Sequence, residues 1–131
     1  MLFEVPYNFD ENLIKFYKKN RSYINYLYLP PYKDDSANTR TSIQTNTVGH
    51  CYMPNTREEY EYHLRRIKEA GLRFVILWQV YEHDLSIEML DYYSGLETSG
   101  FIVANDKNAA LIKQYNPQLL VICSIVQRTC Y

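Results

Sequence analysis

The chain has 131 residues, 47% of them hydrophobic and 22% charged, enough for a single domain that buries roughly two-thirds of its unfolded surface. A formal net charge of −1 provides no basic field, so composition gives no support for nucleic acid or an anionic membrane as a partner. No stretch approaches the roughly 20 apolar residues of a membrane span, and Met1–Pro6 has no basic leader. The cysteines Cys51, Cys123 and Cys130 lack paired spacing, which suits reduced thiols, and a cytoplasmic protein is expected.

Leu2–Val5 is a short apolar run closed by Pro6, predicting a first strand. Asp10 stands at the N-cap of a helix carrying Leu13, Ile14, Phe16 and Tyr17, with Lys18, Lys19 and Arg21 at its carbonyl end. Ile24–Leu29 predicts a second strand, ended by Pro30-Pro31, which cannot donate ladder hydrogen bonds. From Lys33 to Asn55 the chain is polar and rich in Thr and Asn, a loop of a length that in compact domains usually marks either a functional or a disordered segment.

Thr56-Arg57-Glu58-Glu59 fits a capping box, Tyr60, Leu64 and Ile67 form one helical stripe, and Gly71 supplies a left-handed stop. Arg73–Val80 is nearly continuous apolar sequence, the pattern of a parallel strand covered on both faces. Ser86 caps a third helix, with Gly95 and Gly100 at its exit into a strand over Phe101–Ala104. Asp106 is expected to cap a fourth helix, which Asn116-Pro117 ends before a fifth strand over Leu119–Val126. Within that strand Cys123 reads as an inert small hydrophobe. The 14 tyrosines are expected mainly to line the margin between core and water, where the ring is buried and the hydroxyl finds a partner.

Strand–helix repeats of this kind predict an α/β domain spanning residues 1–131. Its strands are parallel, in sequential order with right-handed crossovers, in a partial TIM-like barrel of about five strands and four helices. An open flavodoxin-like sheet with a signalling role is the rival architecture. In either case ligands gather at the carboxyl ends of the strands, where loops vary and helix N-termini offer free amides. That rule selects Asn8, Gln79, His83, Asn105, Asp106 and Arg128 as candidate ligand-binding residues. Glu82-His83-Asp84 suits a general base or metal ligand, and equally a solvated turn whose Asp84 helps cap the next helix. Asn105-Asp106 suits a ligand or a helix cap, and Arg128 an anion or a solubilised tail. His50-Cys51 offers a nucleophile or merely loop residues. No metal site, cofactor motif, phosphate-cradling glycine loop or serine nucleophile elbow is visible, and no catalytic residue is assigned.

Phe3-Glu4-Val5-Pro6-Tyr7-Asn8, Tyr28-Leu29-Pro30-Pro31-Tyr32, Met53-Pro54-Asn55-Thr56-Arg57-Glu58-Glu59-Tyr60 and Gly100-Phe101-Ile102-Val103-Ala104-Asn105-Asp106 together resemble the first half of the barrel of collagenase-like peptidase family members. The resemblance implies a cytoplasmic bacterial barrel. It also implies peptidase chemistry, or service to hydroxylation of RNA bases or quinone precursors, in some members with a cysteine-held iron–sulfur cluster. Cys51, Cys123 and Cys130 do not reproduce the family's cysteine-rich signature, so no catalytic or cluster residue is carried over. The expectation is a partial or degenerate barrel that binds a small polar or peptidic ligand. The alternative is a non-catalytic module that self-associates as a homodimer or larger assembly through its free strand edges.

Overall fold

The computed structural model describes residues 1–36, 53–78 and 85–123. Gln79, His83 and Arg128, with His50, Cys51, Glu82, Asp84 and Cys130, lie outside the described residues. Chain order is β1 (Phe3–Pro6), α1 (Glu11–Lys19), β2 (Ile24–Leu29), α2 (Arg57–Glu69), β3 (Phe74–Trp78), α3 (Ile87–Gly95), β4 (Gly100–Val103), α4 (Asp106–Tyr115) and β5 (Leu120–Cys123). Short 3-10 turns cover Arg21–Tyr23 and Lys33–Ser36, the second opening the polar stretch predicted as loop.

All strand pairs are parallel, and the sheet order is β1-β2-β3-β4-β5. The described residues therefore form an α/β fold of five parallel strands and four helices. A doubly wound sheet reverses its strand order to place helices on both faces, and this order has no reversal among its five strands. Sequential order with right-handed crossovers instead sends every helix to the same face.

The buried core agrees with that placement. Strand side chains alternate between faces, and Leu27, Leu29, Phe74, Ile76, Phe101 and Val103 share one buried cluster with the inner stripes of all four helices. Register aligns them in rows: Leu27 beside Phe74, Ile76 beside Phe101, Trp78 beside Val103. The helix stripes are Ile14 and Tyr17, then Tyr60, Leu64 and Ile67, then Leu90 and Tyr93, and finally Ile112.

The alternate strand residues make a second face, with Tyr26, Tyr28, Val75, Leu77, Ile102 and Ile122. Tyr26 and Val75 are buried yet belong to a different environment from the helix-side cluster, while Tyr28, Leu77, Ile102 and Ile122 are half-buried. A parallel sheet is ordinarily covered on both sides. Here, among the described residues, all helices stand on one.

Helix boundaries follow local chemistry. The Asp10, Thr56 and Ser86 side chains each accept an amide hydrogen bond from the first turn they precede, as expected. In the capping box Thr56 Oγ1 accepts from the Glu59 amide, while the Glu59 carboxylate takes the amide of Asn55 in place of that of Thr56. Gly71 takes φ 77° and stops α2. The fourth helix departs from the sequence reading by one residue. Asn105 is extended and its Oδ1 accepts from the Asn108 amide at 2.8 Å, so Asn105 is the cap and Asp106 the first helical residue, its charge facing the positive end of the helix dipole.

One expectation needs correcting at the last strand. Cys123 is exposed, because β5 is an edge strand and its apolar sequence does not reveal which neighbours are missing. The described strand also ends at Cys123, and the remainder of the predicted Leu119–Val126 run lies outside the described residues. Gly100 is needed here for close approach: a Cβ would lie 2.2 Å from the Leu120 carbonyl oxygen.

Candidate functional site

The carboxyl ends of the strands form a rim on which the N-termini of α1, α2, α3 and α4 converge. After β1 the chain turns through Tyr7, Asn8 and Phe9 to the Asp10 cap. Asn8 Oδ1 accepts from the Asp10 amide at 3.2 Å, and Asp10 Oδ1 accepts from Asn12, so consecutive polar side chains shape the turn. Phe9 adopts φ 65° although buried, a conformation that costs a non-glycine residue of order 1 kcal/mol or more. Packing compensates: its ring meets those of Tyr7, Tyr60 and His63 at centroid distances of 5.4–5.8 Å.

His63 reaches this turn from α2. The Tyr7 hydroxyl and His63 Nδ1 are 2.7 Å apart, burial lowers the His63 pKa against the opposing pull of Glu11 and Glu59, and burial raises that of Tyr7. The pair thus stays neutral near pH 7. Beside it an open pocket of about 480 Å³ is lined by Phe9, Asp10, Glu11, Asn12 and His63.

After β2 the chain enters the most heavily bonded part of the molecule. The Arg57 guanidinium donates to both Asp35 oxygens at 2.7 and 3.0 Å and lies between the rings of Tyr32 and Tyr92, 4.5 and 4.8 Å from their centroids. Asp35 also accepts the Tyr93 hydroxyl at 2.6 Å, and that hydroxyl oxygen accepts the Tyr32 amide at 3.0 Å. The Tyr32 hydroxyl donates to the Asn55 carbonyl, and the Tyr60 hydroxyl to that of Pro30. Asp35 is 5% exposed at its side chain. Its hydrogen bonds to Arg57 hold the guanidinium proton far beyond ordinary pH, and burial pushes up the phenols of Tyr60 and Tyr93. Burial and a hydrogen bond to Glu61 raise Tyr92 to about 12. The Tyr32, Tyr60 and Tyr93 hydroxyls and both Asp35 oxygens all have partners, so the cluster braces the rim.

Between the exits of β3 and β4 one polar group is not satisfied. Asn108 is fully buried on the inner stripe of α4, four residues before Ile112, and its Oδ1 accepts from the Leu85 amide at 3.0 Å. Among the described residues its Nδ2 has no hydrogen-bond partner, and a buried donor left so costs about 1–3 kcal/mol.

Of the residues selected from sequence, Asn8, Asn105 and Asp106 are placed on the rim as expected. Asn8 is a turn former at β1; Asn105 and Asp106 begin α4 after β4. Three strand spacings, about 14 Å, separate those exits along the sheet. Sequence reasoning missed Tyr7, Asp35, Arg57, His63, Tyr93 and Asn108. Only Asn108 carried a readable signal, a polar residue at an inner position of an amphipathic helix. Among the described residues no group of three His, Cys, Asp or Glu side chains is placed to hold a metal ion, and no helix is long and apolar enough to cross a membrane.

No family model matches the chain, and no curated protein or solved structure is similar enough to count as a match.

Proposed function

We propose that this chain is one sector of a β/α barrel and acts as an interaction module, its open apolar face and free strand edges receiving further strands of the same parallel kind. The observation that supports this most directly is the two-faced sheet. Tyr28, Leu77, Ile102 and Ile122 point away from all four helices, in strands whose sequential order is that of a barrel wall. The resemblance to the barrel of collagenase-like peptidases points to the same architecture. Self-association and a cytoplasmic setting belong to this reading.

A fluorescent apolar dye tests it. A protein that unfolds cooperatively should either associate or bind the dye, and Ile102→Lys should diminish whichever of the two occurs. A dispersed monomer that binds no dye would sink the reading.

A second reading, a small polar or peptidic ligand held at the rim, is favoured by the buried Nδ2 of Asn108, without a partner among the described residues and suited to a carbonyl or carboxylate oxygen. Binding of a peptide library should weaken in Asn108→Asp, which keeps the acceptor for the Leu85 amide and removes the donor. Equal binding by both proteins would count against a role for this amide.

A further inference from the structure

Resting on the barrel-sector reading, we infer that the occupant of the open face is a second copy of this chain, the two copies closing a ten-strand parallel wall about a two-fold axis along the barrel. Among the described strands the outer edges belong to β1 and β5, at opposite sides of one sheet, and all strands run the same way. A rotation by half a turn about an axis parallel to the strands therefore brings β5 of each copy beside β1 of the other, in parallel. Both joints are identical, and neither edge of the described sheet is left over.

The side chains fit such a closure. Both edges carry exposed apolar groups: Leu2 and Phe3 are 53% and 54% exposed at β1, and Leu120 is 36% exposed on β5. The face between them is nearly uncharged, with exposed Glu4 on β1 as its one charge among the described strand residues. Two copies of a chain with net charge −1 meet there with little repulsion. Barrel diameter grows with strand number, so a ten-strand lumen needs larger inward side chains than the branched aliphatics of an eight-strand one. Tyr26 and Tyr28 supply them from the second strand of each copy.

The sheet face alone falls short of a standard interface, so the edge joints must supply the rest. Five strands at about 4.8 Å and four residues at about 3.3 Å give a face of about 24 by 13 Å. The two edge joints extend this toward the roughly 800 Å² that each partner of a standard interface covers.

Sedimentation velocity of the 131-residue chain over a micromolar dilution series tests the inference. The expected species has twice the 15.6 kDa chain mass, and Phe3→Glu and Leu120→Lys should each raise its dissociation constant at least tenfold while leaving urea unfolding cooperative. Both positions are exposed, so the monomer fold should tolerate them. A dimer indifferent to both substitutions would overturn the edge-paired closure. A concentration-independent monomer would overturn the second copy. If that monomer binds the apolar dye, the barrel-sector reading survives without it; if it binds none, both fall.

Discussion

The two faces of the sheet are built from the same strands by alternate residues, yet they differ in what they touch. On the helix side Phe74, Ile76, Phe101 and Val103 are wholly buried in one continuous cluster. On the other side Val75 is wholly buried, while Leu77, Ile102 and Ile122, equally aliphatic, stay half-buried. Hydrophobicity along a strand therefore reports that both faces are meant to be covered, without saying which cover is present. In β3 the difference falls between adjacent residues, Leu77 and Trp78.

That adjacency gives the sharpest test. Trp78→Ala should cost about 3–5 kcal/mol in urea unfolding, since a large buried ring leaves a cavity. Leu77→Ala should cost about 1 kcal/mol in the same assay, measured at a concentration where the chain is monomeric. Comparable losses would show that the open face is as well covered as the helix side.

Next in size is the bracing at the rim. Arg57→Met should cost about 2 kcal/mol, less than the roughly 3–5 kcal/mol of a fully buried pair because the Arg57 side chain keeps 38% of its surface in water. Arg57→Lys should recover only part of the loss, because an ammonium cannot make both Asp35 bonds or stack between Tyr32 and Tyr92. Full recovery would mean that charge alone is enough.

Gly100→Ala should cost about 1–3 kcal/mol, since the added Cβ drives against the Leu120 carbonyl. Hydrogen exchange should quicken at Leu120–Cys123 and change little in β2 and β3. Exchange that quickens equally in all strands would contradict a weakly held outer edge.

The smallest expected effect is a pH dependence. Burial lowers the His63 pKa in the folded state, so below its unfolded value of about 6.5 the unfolded chain binds more protons, and stability falls as pH drops toward the folded value. His63→Gln should flatten the urea midpoint across that window. Buried tyrosines give the opposite limb: with Tyr60 and Tyr93 held neutral by burial, stability should decline once pH rises past about 10, where unfolded tyrosines ionise.

Much of the architecture was legible because its signals are local. Thr56, Gly71 and the run beginning at Phe74 each announce a cap, a stop and a strand within a few residues. The brace between Asp35, Arg57 and Tyr93 was not legible. Asp35 and Tyr93 are 58 residues apart, and Asp35 looks in sequence like any polar loop residue. Phe9 gave no hint of its left-handed backbone, because phenylalanine is not a residue that usually signals one. Cys123 misled for a topological reason, since an apolar run reads the same at the edge of a sheet as at its centre.

The brace also makes the chain modular. Tyr32 and Asp35 lie before residues 37–52, and Asn55 and Arg57 lie after them, so the hydrogen bonds between these pairs hold both ends of that span together. Doubling the length of a flexible loop adds only about 0.6 kcal/mol of closure entropy. With both ends clamped by the brace, a short insertion between them should cost the fold little, which makes this span a natural place to try new sequence.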